Sequence, residues 1–220
     1  MKKKVRKNSF WVLLFLVIVL LCMTAPLYAV YSPTEVDLGS VLQKPDAVHW
    51  FGTDRFGRDL FTRVLYGARI SLMVGIVTAV INTIIGVIYG GIAGYVGGRV
   101  DMWMMRLTDI LYSIPELLYI ILIMLIFGSN VRSIIIGVCV AGWISMARMV
   151  RSQIITLKEQ EFALAAFVLG ANSRRILFKH LIVNSLGTII VTVTLMIPQA
   201  IFMEAFLSFV GVGISAPMAS

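Results

Sequence analysis

Five apolar stretches separated by polar ones set the plan of this chain. They run over residues 10–30, 70–96, 110–127, 131–150 and 185–210. A helix needs about 20 apolar residues to cross the hydrocarbon core of a bilayer, and these stretches reach or approach that length. Inside them hydrophobic side chains fall on every face, as expected for helices surrounded by lipid and by one another. The pattern therefore predicts an all-α bundle with about five membrane spans. Pro198, near the middle of the fifth, predicts a kink there. Pro115 and Glu116 open the third, where a missing N–H is harmless and a carboxylate meets the positive helix end.

The longest polar-containing interruption in the second half is 156–184, TLKEQEFALAAFVLGANSRRILFKHLIVN. It reads as helix, glycine, helix. Thr156 and Glu159 have the spacing of a capping box. Phe162, Ala165, Ala166 and Leu169 follow at i, i+3, i+4 and i+7, one face of a helix. Gly170 stands where a left-handed cap favours glycine, and Asn172 or Ser173 can cap a second short helix bearing Arg174, Arg175 and Lys179. On pattern alone this is a surface hairpin between two buried helices. Leucine in place of the two alanines would bury more surface in an isolated helix, so their small size points to another protein surface coming close.

Glu161, Ala165, Ala166 and Gly170, with His180 and Asn184 downstream, resemble the "EAA" loop of bacterial ABC-importer membrane subunits, in the dipeptide/oligopeptide/nickel branch. Val183 departs from that branch, which usually has proline there. The resemblance continues through FGTDRFGRDLFTRVLYGARISL (51–72), Gly97-Gly98 with Asp101, Ser113-Ile114-Pro115 and LSFVGVGISAP (207–217), so it covers nearly the whole chain. It implies a type I importer permease that carries no ATPase site. Its partners would be a homologous second permease, two cytoplasmic ATPase subunits holding ATP and magnesium, and an external solute-binding protein. The loop would be the coupling helix that docks on the ATPase, through Glu161, Phe162, Ala165, Ala166, Gly170, Ala171, Arg175, His180 and Asn184. Family members have six spans, so the resemblance also implies a last helix absent from these 220 residues. Peptides lead as cargo, with nickel and glutathione as alternatives within the branch.

The expected organisation is a cytoplasmic tail and first anchor (1–31), an external loop with an interfacial helix (32–68), and a permease domain (69–220) with its coupling loop at 156–180. The interfacial helix rests on Leu60, Phe61, Val64 and Leu65 opposite Arg58, Asp59, Thr62 and Arg63. The first stretch approaches spanning length and exceeds the core of a signal peptide, which favours an uncleaved anchor. Gly86, Gly90, Gly94 and Gly98 recur every fourth residue, a small-residue face for close helix packing. Polar residues within spans, Thr78, Asn82, Thr83, Thr192, Thr194 and Gln199, are candidates for a translocation path or for helix–helix hydrogen bonds. Glu204, an acid inside the fifth span, is a further candidate.

Composition agrees with a membrane protein: 59% of residues are hydrophobic and 14% charged, against about half and about a quarter in soluble domains. The net charge of +8 raises the question of nucleic acid, but the basic residues flank apolar stretches and form no basic face. Of the 19 Lys and Arg, thirteen fall on one side if the N-terminus is cytoplasmic, which also places 156–184 on the cytoplasmic side; the resemblance implies that the membrane is a bacterial inner membrane. No phosphate-cradling glycine loop ending in Lys-Ser or Lys-Thr is present, and His49 and His180 belong to no metalloprotease motif. Cys22 and Cys139 lie in apolar spans and read as small core residues. An intramembrane enzyme lacks convergent catalytic groups, and a scaffold dimerising through the glycine face would have no use for a capped cytoplasmic hairpin.

Overall fold

The computed structural model describes residues 2–213, with side chains from residue 13 onward. The basic side chains before the first span, and residues 214–217 of the segment that carried part of the resemblance, lie outside it. Among the described residues all regular elements are helical, apart from one isolated antiparallel bridge between Thr53 and Asp59. The chain divides into two compact units, one of residues up to Met73 together with those from Glu204, the other Val74–Met203.

In the first unit α1 (Lys2–Tyr28) leads into a loop held by its own side chains. Asp37 caps a short 3-10 turn, Leu38–Ser40, by accepting from the Gly39 amide at 2.9 Å. The Thr53 hydroxyl donates to the Ser40 carbonyl, and the Asp54 carboxylate binds the Arg58 guanidinium at 2.7 Å. Asp59 then opens the next helix, α2 (Leu60–Val96), by accepting from the Thr62 amide at 2.7 Å, while its other oxygen meets Nδ1 of His49 at 3.0 Å. Cys22 and Ala25 of α1 pack on Leu65. The expected separate interfacial helix at 60–65 is instead the first turns of this 37-residue helix. No proline or cap interrupts the chain there, and Thr62 is buried while Val64 is exposed, which breaks the expected apolar stripe.

The second unit holds the remainder of α2, then α3 (Gly98–Tyr112), α4 (Glu116–Phe127), α5 (Val131–Ala141), α6 (Trp143–Lys158), α7 (Glu161–Val168), α8 (Ser173–Arg175) and α9 (Ile182–Val210) up to Met203. The third apolar stretch was expected to start inside one helix near residue 110. It is broken: α3 and α4 meet at 72° across Ser113–Pro115. Pro115 lacks an N–H and biases Ile114 away from helix, so α3 ends and α4 begins anew at Glu116. Asn130 caps α5 by accepting from the Ser133 amide at 3.0 Å, and α4 and α5 fold back on each other. Among the described residues, three helical stretches are long and apolar enough to cross a membrane: Leu60–Val96, Val131–Lys158 and Ser173–Val210. The bent α3–α4 pair makes a fourth if it counts as one span, and α1 has a shorter apolar run, Leu13–Tyr28.

The glycine comb works through a close approach of α2 to α6. A side chain at Gly90 would land on the backbone of Ala147, and one at Gly94 would come within 2.8 Å of the Arg151 carbonyl oxygen. Gly86 lies under Met146 and Trp143. Gly98 does not belong to this face. The helix stops at Val96, Gly98 has a φ of +55°, and nothing lies within 4 Å of where its side chain would be.

Candidate functional site

The segment between α6 and α9 forms a compact helical hairpin, but its details differ from the sequence pattern. The capping box at Thr156 and Glu159 does not form. Helix α6 continues through Thr156, whose hydroxyl bonds back to the Ser152 carbonyl at 3.2 Å, and runs to Lys158. Gln160 precedes α7 without a side-chain cap. The far end of α7 follows the sequence closely. Gly170 takes a φ of +82°, its amide donates to the Phe167 carbonyl, and the Ala171 amide donates to the Ala166 carbonyl, the paired bonds of a Schellman ending. Asn172 then caps α8 through the Arg175 amide at 2.8 Å.

The apolar residues of α7 divide between two faces. Ala163 and Ala166 are buried against Ile176, Leu177 and Leu181, in a core that continues into Met146, Val150 and Ile154 of α6. Ala171 packs against the same core. Phe162 and Ala165 face outward, with Leu164, Phe167, Val168 and Leu169, the last 87% exposed. The pattern had put Ala165 and Ala166 on one face. In the structure Ala166 belongs to the seam inside the hairpin, because a two-turn helix has room for only one small-residue stripe against its neighbour. Its small size brings α7 close to its own bundle, and the outward surface is larger and more apolar than the alanine pair alone suggested.

After α8 the chain makes one wide π turn, Ile176–Leu181, in which the Ile182 amide reaches the Leu177 carbonyl. His180 is half-buried there, and its carbonyl accepts from the Asn184 amide group at 2.6 Å. Glu161 and Arg175 are exposed. Ion pairs join α6 to α3: Arg151 grips both carboxylate oxygens of Asp101, and Arg148 binds Asp109 at 2.8 Å while lying over the Tyr112 ring. Lys158 at the end of α6 donates to the Tyr95 carbonyl at 2.7 Å, tying α6 to the end of α2. The hairpin is thus carried by a helix fixed at several points to its neighbours.

The path candidates separate in the same way. Asn82 and Gln199 line a cavity of about 870 Å3, together with Thr78, Ser145 and Glu116. Thr83 and Thr192 bond to their own helix carbonyls, of Ala79 and Thr188, and do not line it. Glu204, in the first unit, is fully buried and accepts from Ser71 at 2.6 Å and Ser208 at 3.3 Å, so its carboxylate is occupied by structural hydrogen bonds. Glu116 was read only as a helix-start residue. The break at Pro115 turns it onto the cavity wall, and no sequence period signals that.

Described residues that are helical throughout their regular elements, with several apolar helices and a small-residue helix seam, define a multi-pass membrane protein. Residues 83–220 match the family described as binding-protein-dependent transport system inner membrane component, and the chain belongs to this family. It is 46% identical over 208 residues to the oligopeptide transport system permease protein OppC of Bacillus subtilis (strain 168), covering 94% of this chain and 68% of that one. It is 48% identical over 219 residues to the dipeptide transport system permease protein DppC of the same organism, covering 100% and 68%. With OppC of Escherichia coli (strain K12) the identity is 44% over 210 residues, covering 94% and 70%. The chain is accordingly a transport permease subunit of an ABC importer and not itself an enzyme.

Proposed function

We propose that this chain is a membrane subunit of an ATP-driven peptide importer and forms half of its translocation path. The relatives' printed names, oligopeptide and dipeptide permeases, support the cargo. In this reading the N-terminus and the α7 hairpin face the cytoplasm, and the hairpin docks on one of the two ATPase subunits, which hold ATP and magnesium. A homologous permease completes the path, and an external solute-binding protein delivers the peptide.

The observation that carries the coupling role is the outward surface of α7. Phe167, Val168 and Leu169 stand exposed on a hairpin whose inner side is closed by Ala163 and Ala166. Contiguous exposed apolar residues mark a contact with another protein or with lipid, and on the cytoplasmic side of this reading the contact is the ATPase. ATP-driven movement of the docked partner would travel into α6 through the buried seam and on to α3 and α2 through Arg151, Arg148 and Lys158.

Leu169→Glu tests this, since Leu169 has little to lose in its own fold. The variant is expected to insert normally and to lose both copurification with the ATPase subunits and ATP-driven uptake of labelled dipeptide. Unchanged uptake would rule out the coupling role.

A further inference from the structure

The cavity in the second unit has an unbalanced wall. Its lining is mostly apolar, and Glu116 is the one charged residue in it. Among the described residues the Glu116 carboxylate has no hydrogen bond and no ion pair. Asn82 is only 2% exposed, yet its Oδ1 has no donor. A buried carbonyl oxygen is normally satisfied, and this one is sealed within the wall, behind the cavity surface. Gly142 makes this arrangement possible, because any side chain there would collide with the Asn82 amide nitrogen. The neighbouring cation is already engaged, since Arg148 is held by Asp109 and the Tyr112 ring. The Thr78 hydroxyl is likewise committed to the Val74 carbonyl at 2.7 Å.

An unpaired carboxyl group in a mostly apolar wall without a free cation fits a ligand that brings N–H donors and a positive charge. A primary ammonium group has three such donors. We propose that this cavity is a contact station for the amino terminus of a peptide in transit, with Glu116 as its counter-charge. Gln199 and Ser145, each able to donate and accept, stand on the same wall for the peptide backbone. A metal cation fits less well, because no three His, Cys, Asp or Glu side chains gather anywhere among the described residues. The assignment rests on the peptide-import reading above and adds to it a point of chemical selectivity within the membrane subunit.

The test uses the reconstituted importer without its binding protein, carrying Ser145→Cys in a cysteine-free background, and follows labelling of the introduced thiol by a methanethiosulfonate. Alanyl-alanine at about nine times its half-protecting concentration is expected to slow labelling about tenfold, because only about a tenth of the sites are then free. N-acetyl-alanyl-alanine, which lacks the charge, is expected to leave the rate unchanged. Glu116→Gln should abolish the protection and Glu116→Asp should restore it. Equal protection by both peptides, or protection by nickel ions alone, would overturn the assignment. The two-peptide comparison leaves Glu116 in place, so it decides even if Glu116→Gln fails to assemble. Uptake of labelled alanyl-alanine by the same vesicles with binding protein added separates the two readings. No uptake at all sinks peptide import itself, whereas uptake with an unprotected thiol sinks only the contact station.

Discussion

Replacing Gly90 with alanine puts a methyl group 2.8 Å from the carbonyl carbon of Ala147 and 2.9 Å from its Cα. These are backbone atoms of α6, so no rotamer change relieves the clash, and the helices must move apart. Overpacking of this kind costs about 1–3 kcal/mol. Alanine also has a higher helix propensity than glycine, by about 1 kcal/mol in water, which partly masks the clash in any single measurement. Gly91 supplies the control. A methyl group there meets only the Cδ1 atoms of Ile182 and Leu177, both at 3.6 Å, which is ordinary contact with flexible side-chain ends. Both substitutions carry the same propensity gain one residue apart on one helix, so their difference isolates the close approach. On the scaling for a chain of this size, Gly90→Ala should melt about 2–12 °C below Gly91→Ala in thermal unfolding of the purified importer. Equal melting temperatures, or a lower one for Gly91→Ala, would refute the α2–α6 seam.

Arg151→Lys should destabilise the subunit by about 1–2 kcal/mol, because lysine cannot span both oxygens of Asp101 as the guanidinium does. A double-mutant cycle with Asp101→Ala would assign the loss to the pair, and a variant as stable as the parent would refute it. In the loop before α2, burial raises the Asp54 carboxyl, but hydrogen bonds from the Arg58 side chain and from the Arg58 and Phe56 amides outweigh it and hold its pKa below the ordinary value. A depressed carboxylate stabilises the fold above the unfolded value, about 4, and loses that stabilisation as pH falls through the folded value. Amide exchange at residues 52–59, corrected for its intrinsic pH dependence, should therefore stay slow from pH 7 to about pH 5 and accelerate only below about pH 4. Acceleration complete by pH 6 would refute the role of Asp54.

Much of this architecture was legible in residue order because its determinants are local or periodic. The comb of Gly86, Gly90 and Gly94 announced a helix seam, and Gly170 with Asn172 announced the end of one helix and the start of another. What escaped depends on where elements stop and turn. Gly98 shares the period but lies past the end of α2, so it contributes a turn and no contact. Thr156 and Glu159 match a cap in spacing, yet α6 runs on to Lys158 and leaves no free amides for them. Ala165 and Ala166 are adjacent in a list and opposed in space, since consecutive helical residues point about 100° apart. Glu204 stood out because an acid in an apolar run is conspicuous, while Glu116 was explained away as a helix-start residue. The three-dimensional arrangement reverses their standing: the first is satisfied by Ser71 and Ser208, and the second is bare on a cavity wall.

The wide turn at Ile176–Leu181 has a consequence for how such a subunit can vary. A π turn holds one residue more than the α-helical turn it replaces, and the widened turn absorbs that residue, so the helix downstream keeps its facing. Removing a single residue there would restore an ordinary α-helical turn and leave Ser185 and Ile189 in the interior, with α7 and its outward crest as they are. The junction works as a slack link in sequence space. It lets the chain gain or lose a residue without re-aiming the long helix or disturbing the hairpin before it.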